Sequence, residues 1–536
     1  MGLNLRDQSA YSTCLPLDDA TTLQPDQNNG RNAITKAVII AAGNGSRLQG
    51  YQGGRPKPLV KVGGIPLLER VIRSAKRIGV TEFVIVVGYQ AGLIRKSINC
   101  RKLGVKITWV RNLDWRRPNG VSVLKAERFV DDRFYLFMSD HIFDLKILEQ
   151  IKDYELGEDA GTLCVDYALN RVQNLDDATK VRIENGRMVD LGKSLTDFNA
   201  IDVGIFVCRP ALFDALRQSQ EMGDESLSGG IRVLAQEGRM GTYDIGESFW
   251  QDVDTIPDIK YAEKLLLRST RSKGDGLVAR LLNRRISNRI SKWLLKTPIT
   301  PNQISIFNVF FMAFIAWLVS FGKPLNTVVA GILFQLASII DGCAGEVALI
   351  KLRSSKRGAL VDTITDHLSY FIFIIGVTVG TFRATGDPVV FFVTGFSLVF
   401  LLIALRFGLM YIRRKGSGSL RDLDRDIAAL NHARQTRWYL KFFGHVHHLG
   451  RRDVFSFGAL LIMLWGNISV FYWGLMGAVN LMSSGISISA ASMLSRRARL
   501  SFVSPFKAAY RQFMRTFVAP KVELGAELQP QKEIAD

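Results

Sequence analysis

Short apolar runs alternate with amphipathic segments over residues 36–268. The runs are rich in Val, Ile and Phe and have the length of buried strands. Helical spacing of apolar residues predicts helices at 66–78 and 91–98. Strands are predicted at Ala37–Ala42 (AVIIAA), Glu82–Val87 (EFVIVV), Phe134–Met138 (FYLFM) and Gly161–Val165 (GTLCV). The alternation predicts an α/β domain with a parallel sheet.

Much longer apolar runs fill the second half of the chain. Four of them are about as long as a helix that crosses the ~30 Å hydrocarbon core of a bilayer. The stretch 454–490 is long enough for two more helices, with a break near Gly466–Asn467. The four runs are 303–321, 325–341, 359–381 and 388–410. The pattern predicts an all-α polytopic membrane domain of about six transmembrane helices after the α/β domain.

The distribution of charge predicts how the chain sits in the membrane. The chain has 69 Lys and Arg against 49 Asp and Glu, a net charge of +20. The excess lies in loops 342–358 and 411–452 and just after residue 490, whereas the other loops between spans hold only Lys323 or Arg383. By the positive-inside rule, the α/β domain, both basic loops and the C-terminus face the cytoplasm across a cytoplasmic membrane. A basic excess that follows membrane loops argues against a nucleic-acid partner.

Changes in composition divide the chain into five segments. The stretch 269–300 is basic, with Leu and Ile at helical spacing, and is expected to be an amphipathic helix on an anionic membrane surface. The alternative for this stretch is a solvated linker helix. The predicted segments are a flexible N-terminal tail 1–34, the α/β domain 35–268, the basic linker helix 269–300, the membrane domain 301–492 and a C-terminal tail 493–536.

A glycine-rich loop follows the first predicted strand. The sequence runs AAGNGSRL, then RPKPL, then GGIPLLE. Glycines let backbone N–H groups approach phosphate closely, and Arg47 and Lys57 add positive charge. The composite resembles nucleotidyltransferases that join a sugar or polyol phosphate to a nucleoside triphosphate. Over 36–268 this resemblance implies a Rossmann-like, mixed sheet. It also implies that Arg47 and Lys57 are catalytic and neutralise phosphate charge in the transition state. The loop residues implied to bind the nucleotide are Ala41, Gly43, Gly45 and Ser46.

Acidic residues lie where this family is expected to hold a metal. Asp140 directly follows the apolar strand FYLFM. Asp252 and Asp254 lie in WQDVDT, before a helix near Pro257; Asp252 is the expected ligand and Asp254 the alternative. Two carboxylates that converge on Mg²⁺ or Mn²⁺ can hold an α-phosphate for in-line attack. The expected cofactor is therefore Mg²⁺ or Mn²⁺.

Two further loops match family positions that contact the base and ribose. They contain Gln90, in VGYQ, and Gly120 and Ser122, in NGVS. The side chains of Gln90 and Ser122 can hydrogen-bond the edge of a cytosine. The alternative is that both are ordinary polar loop residues.

The acceptor side resembles the inositol-phosphate cytidylyltransferase branch of the family. The matching motifs are DATKV, LGK and AIDVGIF. Lys180 and Lys193 suit a phosphate monoester, and Asp202 suits a hydroxyl group. The resemblance implies CTP and inositol 1-phosphate as substrates and CDP-inositol and pyrophosphate as products.

The membrane part contains one sharp motif, DGCAGEVAL, followed by Gly358, Asp362 and Asp366. Asp341 ends the second predicted span, and Asp362 and Asp366 share one helix face because they lie four residues apart. Carboxylates at the ends of membrane helices are costly and are usually functional. The spacing resembles the CDP-alcohol phosphotransferase pattern DxxDGxxAR, then GxxxDxxxD, over 275–490. It implies that these three Asp residues bind metal and that Asp366 is the general base for the acceptor hydroxyl.

Two residues depart from this pattern. Ala344 stands where the family has its second Asp, and Leu349 stands where it has Arg. An Ala cannot ligate a metal and a Leu cannot bind phosphate, so the activity of the membrane domain stays open. One alternative is a catalytically impaired membrane domain that tethers the nucleotidyltransferase. Another is a phospholipid-synthesising transferase with a lipid acceptor.

The two resemblances, in this order, imply a bifunctional enzyme. The first domain would make CDP-inositol, and the second would transfer phosphoinositol from it to an alcohol such as an inositol phosphate, releasing CMP. The expected partners are CTP, inositol 1-phosphate, a CDP-alcohol and membrane lipids. A homodimer is implied by the resemblance alone.

Overall fold

The computed structural model describes residues 33–48, 50–271, 278–415 and 452–488. The predictions for the N-terminal tail, for most of loop 411–452 and for the C-terminal tail fall largely outside these residues. The chain divides into two compact units. Unit 1 contains the residues up to Asp275, Arg284–Pro301 and Gly342–Ser354; unit 2 contains Gly276–Asn283, Asn302–Asp341 and the residues from Ser355 onward.

Unit 1 is an α/β structure. Its strands are β1 (Lys36–Ala41), β2 (Lys61–Val62), β3 (Ile65–Pro66), β4 (Glu82–Val87), β5 (Lys106–Arg111), β6 (Phe134–Met138), β7 (His141–Phe143), β8 (Gly161–Asp166), β9 (Lys180–Glu184), β10 (Arg187–Gly192), β11 (Ala200–Cys208), β12 (Met240–Asp244) and β13 (Trp250–Asp252). Its helices are α1 (Leu67–Arg77), α2 (Ala91–Asn99), α3 (Asn119–Leu124), α4 (Leu145–Ile151), α5 (Ala211–Glu221), α6 (Leu227–Gln236), α7 (Ile256–Ser269) and α8 (Arg284–Leu294).

A nine-stranded mixed sheet forms the centre of unit 1, in the order β5-β4-β1-β6-β11-β8-β12-β10-β9. The strands β5, β4, β1 and β6 are parallel, whereas β11 is antiparallel to both of its neighbours β6 and β8. The Rossmann-like, mixed sheet that the resemblance implies is therefore confirmed. The parallel sheet predicted from the alternation is wrong for β11, which runs antiparallel between β6 and β8. The four predicted strands and both predicted helices end within one residue of the predicted positions.

The core explains why these strands are apolar on both faces. In β1, Val38 and Ile40 pack into the core on one face, while Ile39 packs into the core on the other. A strand buried on both faces has no polar side, so it reads as a continuous apolar run. Since β1 and β6 are adjacent and parallel, with Ile40 opposite Met138, their carboxyl ends meet at one edge of the sheet. The glycine-rich loop, which follows β1, and Asp140, which follows β6, therefore lie at the same edge of the sheet.

The hairpin β2–β3 packs against chain segments that are distant in sequence but belong to the same unit. Gly63, in its turn, has φ +60°, and a Cβ there would lie 2.7 Å from Ile350 Cγ2 and 3.2 Å from Leu266 Cδ1. Arg70, in α1, is buried and donates from Nη1 to the carbonyl of Ile350 at 2.9 Å. Lys351 donates to the carbonyl of Thr297 at 2.9 Å. These contacts include segments 294–299 and 350–351 in the body of unit 1.

We expect Gly63→Ala to destabilise the protein in two ways, through the strain of a left-handed backbone and through a clash of the new methyl group with Ile350. The matched control is Gly238→Ala, because Gly238 has a similar φ of +68° but open space around its Cβ position. Overpacking adds about 1–3 kcal/mol to the cost of the left-handed conformation. The temperature of half-unfolding of the full-length protein in detergent, followed by tryptophan fluorescence, would fall several degrees further for Gly63→Ala. Equal shifts would show that the hairpin contact contributes no stability.

The membrane region is helical. Its helices are α9 (Pro301–Val319), α10 (Pro324–Ile350), α11 (Lys356–Thr385), α12 (Val389–Lys415), α13 (Arg452–Met463) and α14 (468–488). Within the described residues, four helices are long and apolar enough to cross a membrane: α9, α10, α11 and α12. They expose large apolar side chains such as Phe392 and Phe310, which suits contact with lipid. The break at Gly466–Asn467 is confirmed, because residues 464–467 separate α13 from α14; the count of six spans is not.

One local prediction, the end of the second predicted span, was wrong. Helix α10 does not end near Asp341 but continues to Ile350, so the first nine residues of the predicted loop 342–358 are helical. No proline interrupts this stretch, and isolated glycines are tolerated in a helix. The predicted linker 269–300 contains helix α8, whose buried positions are Ser287, Ser291 and Leu294, whereas Leu281, just before this helix, is 57% exposed. The placement of the linker on a membrane surface stays a prediction. Ser287 is buried because its hydroxyl donates to the buried Glu346 at 2.6 Å.

Candidate active sites

The loop after β1 is folded closely against Lys57. Gly45 has φ +56°, and a side chain there would collide with the Cβ atom of Lys57, so the position requires glycine. A cavity of about 310 Å³ lies at this point, lined by Gly43, Gly45, Ser46, Arg47 and Lys57. The predicted loop residues are thus brought together, except that Ala41 is buried at the end of β1.

Lys57 lies between two of the predicted metal ligands. Its Nζ is 2.5 Å from Asp140 Oδ2 and also contacts Asp254 Oδ1. Burial opposes the charge on Lys57, but the two carboxylates outweigh it and hold the pKa of the ammonium above its ordinary value. Burial likewise opposes ionisation of Asp140, yet Lys57 and His141 lower the pKa of this carboxyl. Charged forms of both partners therefore persist in a site with little access to water.

Asp252 lies close to this pair but in a different setting. In β13 it is paired with His141 of β7, and Gln251 Nε2 lies 3.2 Å from its Oδ1. Burial raises the pKa of Asp252, as do the nearby carboxylates of Asp254 and Asp140, against the effect of His141. Asp254, the alternative ligand, is the carboxylate that contacts Lys57 together with Asp140.

The carboxylates around Lys57 fit a divalent ion by their chemistry. Asp140 and Asp254 are hard oxygen donors already spaced to share one cation, here the ammonium of Lys57. In the described part of the chain, no group of three or more His, Cys, Asp or Glu side chains is placed to hold a metal ion. The metal ligands Asp140, Asp252 and Asp254 therefore stay a prediction.

A second, larger cavity adjoins the first. Its volume is about 660 Å³, and it shares Asn119, Met138, Asp140 and Asp254 with the loop cavity. The two carboxylates thus lie in a wall common to both cavities. A phosphate in either cavity would be within reach of the same charged groups.

Asp202 lies in the larger cavity next to a kink in β11. Its Oδ1 accepts from the backbone N–H of Gly204 at 2.7 Å, and Gly204 has φ +74°. The register of β11 against β8 shifts between Asp202 and Phe206, so the strand bends there. Burial raises the pKa of Asp202 to about 6, against the opposing effects of the Gly204 N–H and of His141.

Lys193 also lines the larger cavity, but Lys180 does not. Lys180 instead donates from Nζ to the carbonyl of Lys193 at 2.7 Å, so it supports the backbone of the lining residue. Asp177, another lining residue, accepts from Arg47 at 2.5 Å and from Lys193 at 2.8 Å. Both cations lower the pKa of Asp177, through hydrogen bonds and charge, to about 2.

The predicted base contacts lie elsewhere. Gln90 has φ +48° ahead of α2 and donates to the hydroxyl of Tyr89 at 3.2 Å. Ser122 is buried in α3 and accepts from Asn112 at 2.9 Å. Gly120 packs closely against the backbone around Ser226. None of the three lines either cavity.

The structure adds residues that the motifs did not single out. His141 bonds Asp140 Oδ1 through Nδ1 at 2.8 Å and stacks on Trp250, with ring centroids 6.0 Å apart. Trp250 in turn donates to Asp166 at 3.0 Å. His141 and Trp250 lie next to predicted ligands in sequence, which was the available signal. Asn119 likewise lies directly before the predicted Gly120, in the motif NGVS, although its place at the junction of the two cavities depends on the packing of α3.

The membrane motif is partly placed. Asp362 and Asp366 lie one turn apart in α11, as the spacing predicts, and Ser305 of α9 donates to Asp362 Oδ1 at 3.1 Å. Asp341 lies within α10. All three are partly buried, and their metal binding and the role of Asp366 as a base stay predictions. Ala344 is buried and Leu349 is 49% exposed.

Comparison with known proteins supports the division into two enzymes. Residues 37–236 match the family described as MobA-like NTP transferase domain, and residues 298–420 match CDP-alcohol phosphatidyltransferase. The "Bifunctional IPC transferase and DIPP synthase" of Rubrobacter xylanophilus is 35% identical over 365 residues, covering 66% of this chain and 80% of that protein. The protein of the same name from Archaeoglobus fulgidus is 35% identical over 348 residues, covering 64% of this chain and 66% of that one.

Among solved structures, the inositol-1-phosphate CTP transferase from T. maritima aligns with a TM-score of 0.39 at 26% identity. The alignment covers 44% of this chain and 96% of that one.

The fold and the two family matches define a membrane protein in which a nucleotidyltransferase precedes a CDP-alcohol phosphotransferase. Both kinds of enzyme use divalent metals. The similarity to the Rubrobacter protein covers four fifths of that relative, and the chain belongs to the family of bifunctional IPC transferases and DIPP synthases.

Proposed function

We propose that unit 1 makes CDP-inositol and pyrophosphate from CTP and inositol 1-phosphate. The observation that carries this proposal is the common wall of the two cavities, where Asp140 and Asp254 flank Lys57. The triphosphate occupies the cavity of the glycine-rich loop, and the phosphorylated alcohol occupies the larger one. The relatives' names and the acceptor motifs favour inositol phosphate.

The reaction is an in-line displacement at the α-phosphorus of CTP. An oxygen of the inositol phosphate forms the new P–O bond, and the bond to the β-phosphate breaks to release pyrophosphate. Lys57 and Arg47 neutralise the charge that develops on the phosphates, while Lys193 orients the attacking phosphate. Mg²⁺, held by Asp140 and Asp254 with Asp252 beside them, would lower the charge at the α-phosphate.

The membrane domain then transfers phosphoinositol from CDP-inositol to an alcohol. The acceptor hydroxyl oxygen attacks the phosphorus attached to inositol, CMP leaves, and Asp366 takes the proton of the hydroxyl. Asp341 and Asp362 would hold a divalent metal, which would lower the negative charge of the diphosphate. In this proposal the acceptor is another inositol phosphate, unit 1 and the C-terminus face the cytoplasm, and the protein functions as a homodimer among lipids of the cytoplasmic membrane.

One assay separates the two steps. Purified full-length protein in detergent would receive Mg²⁺, radiolabelled CTP and inositol 1-phosphate, and pyrophosphate, CDP-inositol and CMP would be followed separately. We expect all three products, with a water-soluble phosphodiester. If no pyrophosphate is released, the proposed cytidylyltransferase activity is wrong. If the labelled product is a lipid, the acceptor is a lipid alcohol and not an inositol phosphate.

A second candidate is a membrane domain that only tethers the nucleotidyltransferase. The buried Ala344 in place of a motif Asp favours it, because one of four expected carboxylates is missing. CDP-inositol and pyrophosphate without CMP would be its signature. In that case Ala344→Asp would give no CMP either. If this substitution restored CMP release, the membrane domain would lack only the metal-binding carboxylate at position 344.

The pH dependence of acceptor binding gives a further test. With a pKa of about 6, Asp202 is ionised above pH 6, where its carboxylate can accept from the hydroxyls of inositol. As pH falls through 6 the carboxylate is protonated, so the KM for inositol 1-phosphate should rise about tenfold per pH unit at the steepest. The ligand titrates in the same range, so the ratio of KM between wild type and Asp202→Asn is the measure. A ratio that is constant from pH 5 to 8 would contradict this role.

A further inference from the structure

The carboxylate of Asp177 bridges one cation from each cavity. Asp177 binds Arg47, which lines the loop cavity, and Lys193, which lines the larger one. Its two oxygens are divided between them: Oδ2 accepts from Arg47 and Oδ1 from Lys193. Arg47 and Lys193 are the cations that the proposed function assigns to nucleotide phosphate and acceptor phosphate. Asp177 therefore competes with phosphate at both sites.

The segment that carries Asp177 also forms a wall of the larger cavity. Residues 173–179 connect the turn Leu169–Arg171 to β9, and Gln173, Asn174 and Thr179 line the cavity with Asp177. The segment is held at its C-terminal end, where the N–H of Asp202 donates to the carbonyl of Thr179 at 2.9 Å. Ahead of Thr179, the side-chain contacts of Asp177 tie it to the two cations. A displacement of Asp177 from one cation would also change its position relative to the other.

We propose that Asp177 is a latch that couples the two phosphate-binding sites. With Arg47 and Lys193 both bound to it, the first phosphate ligand to bind must displace the segment 173–179. The second ligand then binds a cation that has already been released. The coupling is positive, because the free energy needed to break the ion pairs of Asp177 is supplied by the first ligand and is not required again for the second. The inference rests on the proposed function only in naming CTP and inositol phosphate as the physiological ligands.

The strength of the latch is limited by its exposure. The side chain of Arg47 is 55% exposed and that of Lys193 is 64% exposed, so solvent and salt screen both pairs. Exposed pairs contribute little individually, and two of them correspond to about a fivefold change in ligand affinity. Arg47 also keeps a second partner, Asp254 Oδ2 at 3.2 Å, so loss of Asp177 leaves this cation oriented.

Calorimetry with inorganic pyrophosphate tests the latch without turnover. We expect full-length Asp177→Asn in detergent with Mg²⁺ to bind pyrophosphate about fivefold more tightly than wild type. Asp177→Glu keeps the charge and should stay close to wild type. Asp176→Asn is the matched control, since Asp176 contributes only its backbone carbonyl to the contact with Lys180. Unchanged or weaker binding by a folded Asp177→Asn protein, checked by its unfolding temperature, would overturn the proposal.

The same titration measures coupling. In wild type, saturating inositol 1-phosphate should tighten pyrophosphate binding, and this effect should be lost in Asp177→Asn. Equal coupling in both proteins would overturn the latch. If wild type does not turn over CTP but Asp177→Asn still binds pyrophosphate more tightly than wild type, the proposed substrate is refuted and the latch is not.

Discussion

Replacing Asp140 by Asn should lower kcat/KM for CDP-inositol formation by about 10²–10³-fold. The substitution removes the charge that Lys57 faces at 2.5 Å and one oxygen donor of the expected metal site. It also changes the partner of His141, which bonds the other carboxylate oxygen. Release of labelled pyrophosphate from CTP by purified full-length variant and wild type is the measurement.

The control for this experiment lies in the same polypeptide. Transfer from added CDP-inositol, followed as CMP release, should be unchanged in Asp140→Asn, because that chemistry is assigned to the membrane domain. Loss of both activities would indicate misfolding, which the unfolding temperature would reveal. A pyrophosphate rate within a few-fold of wild type would remove Asp140 from the catalytic site.

Replacing Asp366 by Asn should reduce CMP release and leave CDP-inositol formation unchanged, the reverse of the result expected for Asp140→Asn. Loss of the general base is expected to reduce CMP release from added CDP-inositol by about 10²–10⁴-fold. CDP-inositol formation should continue at the wild-type rate, so the intermediate should accumulate when both substrates of the first step are supplied. The measurement is the ratio of CDP-inositol to CMP over time.

Thr363→Ser is a suitable comparison for Asp366→Asn. Thr363 lies in the same helix, and its hydroxyl donates to the backbone carbonyl of Ala359 at 2.9 Å, a bond that Ser retains. Normal CMP release in Asp366→Asn would exclude this residue as the base. Together, the two Asp variants would divide the two reactions between the two family domains.

The sequence predicted the parts of the fold and site that depend on local patterns. The strands around β1 and β6 were predicted correctly because strands buried on both faces are uniformly apolar. The glycine-rich loop was predicted from its glycines, which are required at close approaches, although the contact of Gly45 with Lys57 was not predicted. The end of α10 was predicted wrongly because the motif's glycines resemble a loop, whereas nothing there stops a helix.

What could not be predicted depends on contacts between distant residues. Which of Asp252 and Asp254 contacts Lys57 could not be predicted, because two positions so close on one short segment do not reveal it. Asp177 belongs to a recognisable motif, but its bond to Arg47 joins residues 130 positions apart. Lys180 was expected beside the acceptor, yet its ammonium bonds to the backbone of Lys193, an outcome decided by packing around β9.

The contacts of the β2–β3 hairpin bear on how this enzyme is divided for experiments. A soluble fragment that stops at residue 268 would retain both cavities but lose Arg284–Pro301 and Gly342–Ser354. The buried guanidinium of Arg70 would then lose one of its two carbonyl acceptors, the one at Ile350. Such a fragment would expose the surface that these two segments cover, with a hydrogen-bond donor of Arg70 left without its acceptor. We expect it to aggregate during purification. Low yields of a truncated protein would therefore reflect the cut itself and not the instability of the catalytic fold.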